Sequence, residues 1–169
     1  TTLMKILSGY LTADSGEIAL DGTPVRAATP AQALRLGVGM LHQDPLDFLP
    51  FSVLDNFLIG RGGGLTRQRA EARRVLQEMA GRFGFSFDAD APVGRLTVGE
   101  RQQLEIVRLL ASGVQVLILD EPTTGISAAQ KDRLFAALRL LAEQGKTIVF
   151  VSHKLEDVHE LCSHVAILR

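Results

Sequence analysis

At positions 114 to 125 the chain reads VQVLILDEPTTG. An apolar run leads straight into two adjacent acids, Asp120 and Glu121, followed by a proline, two threonines and a glycine. Carboxylates placed side by side repel, and burying either is costly unless something compensates it. A bound cation beside a polyphosphate is one such compensation. Two other apolar runs end in groups suited to the same chemistry: Gln43 after VGMLH, and Ser152-His153 after IVFV. A carboxylate such as Asp120 can hold Mg2+ directly or through water, because that ion prefers oxygen ligands. A second carboxylate, Glu121, can take the proton from an attacking water. The amide of Gln43 can orient that water, and His153 can donate a hydrogen bond to a terminal phosphate. These are the parts needed for phosphoryl transfer to water. Each has a plainer reading alone, a solvated turn for the acids and a surface or structural role for the histidine. Their co-occurrence favours the shared chemistry.

The elements that must carry these groups follow from composition and pattern. The chain has 169 residues, enough for one domain with a sizeable core. Hydrophobic residues make up 46% and charged residues 22%, the profile of a soluble globular protein. A net charge of −1 supplies no basic field for nucleic acid or an anionic membrane. The single cysteine, Cys162, rules out an intrachain disulfide. No apolar run approaches the ~20 residues of a membrane helix, and no signal peptide is visible. The chain opens on Thr1 and closes on Arg169 just after an apolar run, so both ends read as cut from something longer.

In the first half, LMKILS closed by Gly9 reads as a helix tail, and GEIALDGTPV as a hairpin turning at Asp21-Gly22. Thr29 caps a short helix that begins at Pro30 and stops at Gly37, and VGMLHQ follows as a buried strand. Ser52 and Asp55 have capping-box spacing before VLDNFLIG. Arg61 to Gly64 reads as a flexible connection. Thr66 opens an amphipathic helix with Val75, Leu76, Met79 and Phe83 at helical spacing, and Arg67, Arg69, Arg73 and Arg74 on its solvated face. A further helix spans about 99 to 111. In the second half VQVLIL reads as a strand covered on both faces. Ser127 with Gln130 starts a helix that ends at Gly145. KTIVFVS reads as a buried strand, HKLEDVHELC as a short helix, and HVAIL as a last strand. The alternation implies an α/β fold with a mostly parallel sheet flanked by helices. A helical subdomain over 46–112 is inserted into a core formed by 1–45 and 113–169. In such sheets ligands bind beyond the carboxyl ends of the strands. His159, Cys162 and His164 straddle a helix end without a firm fourth ligand, which argues against a metal site there.

Four motifs in order resemble the nucleotide-binding domain of ATP-binding cassette (ABC) proteins, a P-loop NTPase family. VLILDEP resembles its Walker B strand, LTVGERQQLEI its signature, LHQD at 41–44 its glutamine loop, and VSHKL at 151–155 its histidine switch. Thr1-Thr2-Leu3 looks like the end of the phosphate-binding loop, which implies that the loop's glycines and lysine lie upstream and that this piece alone binds ATP poorly. By this resemblance Asp120, Thr1 and Gln43 serve Mg2+, Glu121 is the general base, and His153 contacts the γ-phosphate. Thr1, Thr2 and Gln43 also serve the bound nucleotide. Leu96, Thr97, Val98, Gly99 and Glu100 face ATP held by a second nucleotide-binding domain in a head-to-tail dimer. A helix N-terminus preceded by glycine suits phosphate.

The resemblance also implies ATP and Mg2+ as ligands, transmembrane permease subunits as partners, an indirect link to a solute-binding protein, and no nucleic acid. It implies a place on the cytoplasmic face of the plasma membrane. Two positions depart from the family pattern. Glu100 replaces the usual glutamine of the signature, and Ile126-Ser127 replaces the usual Leu-Asp after Walker B, a change that bears on signalling between the paired sites. Val-Gly-Glu followed by Arg-Gln resembles the ATPases of sugar and nucleoside importers. Alternatives are a soluble ABC protein acting on ribosomes or DNA, and an ATP-binding regulatory module without turnover; 44–95 has no room for the coiled coil of a DNA-repair relative. Leu49 to Phe51 is the expected docking stretch for a permease helix.

Overall fold

The computed structural model describes the backbone of residues 2–59 and 65–168 and the side chains of 2–59 and 69–168. Thr1, the run Arg61 to Gly64 and the Arg67 side chain lie outside the described residues. The centre of the fold is a three-stranded parallel sheet of β3 (Val38–Leu41), β4 (Val116–Asp120) and β5 (Thr147–Val151), with β4 in the middle. Successive side chains of a strand point to opposite faces, and here both faces are used. Leu41, Leu117, Leu119, Ile148 and Phe150 join one apolar cluster, while Val38, Met40, Val116, Ile118, Val149 and Val151 join another. The first cluster is covered by α5 (Val98–Ala111) and α6 (Ala128–Glu143), with α3 (Val53–Leu58) and α4 (Leu65–Arg82) packed beyond. The second is covered by α1 (Thr2–Leu7), α2 (Pro30–Arg35) and the hairpin of β1 (Ile18–Leu20) and β2 (Thr23–Val25). The near-continuous apolar runs of β3 and β4 follow, because neither of their faces meets water.

The hairpin turns on Asp21 and Gly22, with φ of 50° and 76°. Positive φ at both central residues is the turn whose twist matches paired strands, which is why the Asp-Gly pair marked it. Thr29, Ser52, Thr97 and Ser127 each cap a helix, their side chains accepting a backbone N–H in the first turn. On α4, Ala72, Leu76 and Ala80 are buried one helical turn apart, with Phe83 just beyond. The arginines of its outer face are neutralised locally: Arg69 pairs with Asp55, Arg73 with Asp90 at 2.6 Å, and Arg74 with Glu71 at 2.7 Å. Among the described residues no helix is long and apolar enough to cross a membrane.

Three expectations need correction. HVAIL is not a strand: 164–168 is irregular, and Val165, Ile167 and Leu168 are 65%, 84% and 72% exposed. Apolar alternation favours a strand only where a neighbouring backbone can pair with it, and no described strand does so. KTIVFVS is half-buried rather than buried: β3 and β5 are both edge strands, but β3 is packed by α2 and α5, whereas β5 is packed mainly by α6. The α4 helix begins at Leu65, one residue before Thr66, so Thr66 lies inside its first turn.

Candidate functional site

Parallel strands end on the same side, and the register makes this concrete. Leu41 aligns with Leu119, and Asp120 aligns with Val151. The residues just past these positions therefore share one sheet edge: His42 and Gln43 after β3, Asp120 and Glu121 after β4, Ser152 and His153 after β5. Asp120 is buried at 5% exposure, and Gln43 is exposed. Glu121 turns sharply, with φ of 52°, a backbone region uncommon for a non-glycine residue. Its amide still donates to the Val151 carbonyl at 2.9 Å, and its carbonyl accepts from Thr124 N–H at 3.1 Å. The turn thus leaves the sheet while staying bonded to β5.

That geometry brings the Glu121 carboxylate onto His153. Glu121 Oε1 accepts from the His153 backbone N–H at 3.1 Å and lies 2.8 Å from His153 Nδ1. Glu121 Oε2 is buried with no hydrogen-bond partner among the described residues. The imidazole is largely exposed and the carboxylate largely covered, at 74% and 18% of their side-chain areas. One carboxylate oxygen is therefore held by His153 and the other is buried without a partner among the described residues, so the carboxylate keeps an unused acceptor that can take a proton.

The flanks of this edge hold residues the motifs did not single out. His42, between β3 and Gln43, packs edge-on against Tyr10 with ring centres 4.7 Å apart. Burial pushes its pKa down, Asp120 pulls it up, and Lys5 pushes it down again. Lys5 of α1, His42 and Asp120 are thus electrostatic neighbours. Beyond Glu121, Thr123 is buried and donates its hydroxyl to Asp157 of α7 (Leu155–Leu161) at 2.6 Å. An acid at the third position of a seven-residue helix carries no sequence signal that separates it from surface acids such as Glu156.

The signature residues sit at the start of α5. Thr97 is the N-cap and Glu100 completes a capping box: Glu100 Oε2 accepts from Thr97 N–H at 2.8 Å and from its hydroxyl at 2.7 Å. Gln130 of α6 donates to the same hydroxyl at 2.8 Å, and its side chain lies where a Cβ on Gly99 would fall, 2.7 Å from the nearest atom. Gly99 is therefore small because α6 reaches over it. Leu96 and Val98 are half-buried. Both departures from the family pattern have local work: Glu100 closes the α5 capping box, and Ser127 with Gln130 closes that of α6. Thr2 is the exposed first residue of α1; the remaining phosphate-loop assignment, Thr1, is outside the described residues.

For Mg2+, the donor types on this edge are one carboxylate from Asp120 and an amide oxygen from Gln43. That fits a cation that keeps several waters and shares its shell with substrate phosphates.

Comparison with known proteins places the chain in a family. Residues 1–124 match the family model described as ABC transporter. A ribose import ATP-binding protein of Burkholderia thailandensis is 39% identical over 172 residues, covering 100% of this chain and 34% of the relative. An arabinose import ATP-binding protein of Burkholderia lata is 35% identical over 173 residues, with the same two shares. The chain thus spans about a third of the length of these curated relatives. Among solved structures, CbiO1 of Clostridium perfringens, part of the ABC transporter complex CbiONQ, is 28% identical with a TM-score of 0.76, covering 95% of this chain and 65% of that one. With the family model matched over most of its length, this chain belongs to the ABC transporter family.

Proposed function

We propose that the chain is the ATP-binding and ATP-hydrolysing part of an importer for a small polar solute, a sugar or nucleoside. The observation that carries this reading is the strand edge where Asp120, Glu121 and His153 meet, with the Glu121 carboxylate 2.8 Å from His153 Nδ1. The printed names of the relatives, ribose and arabinose import ATP-binding proteins, support the solute class. In this reading Glu121 accepts the proton of the attacking water, and His153 donates to the γ-phosphate. Asp120, Gln43 and Thr1 hold Mg2+, which when bound neutralises charge on the phosphates. Thr2 and Gln43 serve the same nucleotide, and Leu96 to Glu100 face the nucleotide held by a second nucleotide-binding domain in a head-to-tail dimer. Residues 46–112 act as a helical subdomain on a core of 1–45 and 113–169. The protein works at the cytoplasmic face of the plasma membrane.

The permease contact falls on the loop after Gln43. Phe48, Leu49 and Phe51 are about half exposed, and the rings of Phe48 and Phe51 stack 5.6 Å apart. Apolar surface of this kind marks interaction sites. The loop beneath is rigid, because buried Asn56 accepts from Phe48 N–H at 2.9 Å and donates to the carbonyls of Phe48 and Ser52 at 3.1 and 3.0 Å.

Glu121→Gln in the full-length protein tests the hydrolytic reading. The amide keeps size and can still accept from His153 N–H, but it cannot take a proton. Binding of Mg-ATP should persist while turnover falls about 10²- to 10⁴-fold, trapping a closed ATP-bound dimer. Near-normal turnover rejects the assignment.

A further inference from the structure

Asp157 is 3% exposed, although a buried carboxylate is costly unless it is paired and hydrogen-bonded. Here it has two partners from different elements. Thr123 Oγ1 donates to Asp157 Oδ2 at 2.6 Å, and Lys131 Nζ of α6 donates to Oδ1 at 3.1 Å. Burial pushes the Asp157 carboxyl up, but the Thr123 hydroxyl and the Lys131 ammonium outweigh it and hold it below the usual carboxylate range. Lys154, three residues before Asp157, donates from Nζ to the Thr123 carbonyl at 3.0 Å. Thr123 is thus gripped at both its hydroxyl and its carbonyl by the segment that begins at His153. That segment also meets Glu121 directly through the His153 backbone N–H.

We propose that Asp157 is a positioning residue for the hydrolytic step: it clamps Thr123, and through the turn 121–124 it fixes the Glu121 carboxylate relative to His153. The inference rests on the reading of Glu121 as the base. Geometry favours it over a purely structural role. Apolar side chains of similar size often replace a buried ion pair at no loss of stability, so a buried carboxylate is a poor choice for stability alone. It does specify direction, since one oxygen accepts from the Thr123 hydroxyl and the other from the Lys131 ammonium, which Glu160 Oε2 shares at 3.3 Å. Glu121 stands two residues from Thr123 in an uncommon backbone conformation, which persists only when its surroundings over-determine it. The clamp supplies that determination from α7 and α6 together. Small misplacement of a reacting group slows chemistry far more than it weakens binding.

The test uses the full-length protein with Asp157→Asn, Asp157→Glu and Thr123→Val. Asp157→Asn keeps shape and loses charge; Thr123→Val removes one hydroxyl. Both should lower kcat about ten- to a hundredfold with KM for ATP within about twofold. The double variant should be no slower than the worse single one, because both break one clamp. Asp157→Glu, which keeps the charge, should recover part of the rate. Amide hydrogen exchange should quicken at 121–125 in both single variants, whether or not the protein turns over ATP. If Asp157→Asn does not fold, Thr123→Val alone decides by the same measures. Unchanged kcat in a folded Asp157→Asn or Thr123→Val, or unchanged exchange at 121–125, overturns the proposal. A wild-type protein without ATPase activity instead overturns the hydrolytic reading, and exchange still decides whether the clamp sets the turn.

Discussion

At the scale of single residues, the edge of the sheet is electrostatically tight, and His42 reports it. The ring is half-buried against Tyr10, its Nε2 is buried without a hydrogen-bond partner among the described residues, and burial depresses its pKa. The depression means the folded protein binds fewer protons than the unfolded chain below the ordinary value of about 6.5. Stability is therefore full above that pH and falls as pH drops through the window between the unfolded and folded values, by at most about 1.4 kcal/mol per pH unit. His42→Gln does not titrate there. The stability gap between wild type and His42→Gln, from urea midpoints at pH 7.5 and 5.5, should shift against the wild type at the lower pH. Equal gaps reject the assignment. The candidate acids and the histidine were legible from runs of apolar residues ending in polar ones. The Glu121 to His153 contact was not, because it depends on the positive φ of Glu121 and on a register 32 residues apart in sequence. Thr123 and Asp157 were invisible for the same reason: a buried acid and a solvated one are the same letter.

At the scale of elements, caps and turns were the legible part. Thr29, Ser52 and Ser127 cap the helices their spacing announced, and Asp21-Gly22 makes the hairpin turn. Local hydrogen bonds depend on local sequence. Pairing between strands does not, and so 164–168 looked like a strand and is not one. The loop 48–52 obeys a mixture of the two rules. Its backbone is fixed by Asn56 and by Val93 and Gly94, whose amides donate to the carbonyls of Phe51 and Leu49 at 2.9 and 3.0 Å. Its apolar side chains are free to face a partner. Charge placed there should break docking without disturbing the frame. Leu49→Glu or Phe51→Glu in the assembled importer should abolish most solute uptake, while basal ATPase of the isolated ATP-binding protein stays within about twofold, surface changes away from packed groups being nearly neutral. Undiminished uptake in both variants counts against the docking loop.

At the scale of the whole molecule, the sheet separates two apolar layers that differ in how well they are closed. Both were foreseeable in kind, since continuous apolar strands demand cover on two faces; their inequality was not, because it depends on how α1, α2 and the hairpin seat. Leu119 and Ile118 are neighbours on β4, both fully buried, facing opposite layers. Leu119 lies in register between Leu41 and Phe150, in the layer closed by α5 and α6. Ile118 borders an apolar hollow of about 320 Å³, with Leu7, Leu20, Val38 and Val116 among its walls. Truncating a buried side chain costs the lost transfer energy plus a term that grows with the cavity left behind, at about 24 cal/mol per Å³. The space left by Leu119→Ala is enclosed, so both terms apply, for a loss of about 3–5 kcal/mol. The space left by Ile118→Ala merges with the hollow, so the cavity term shrinks and the loss should be smaller, about 2–3 kcal/mol. Against a typical total of about 5–15 kcal/mol, either loss is readily measured. Urea unfolding of the two variants beside the wild type should give the lower midpoint for Leu119→Ala. Because Leu119 immediately precedes Asp120, its truncation should also loosen the strand end that carries the site. Equal midpoints, or a lower one for Ile118→Ala, would mean that the hollow is closed and that the two layers are equally well packed.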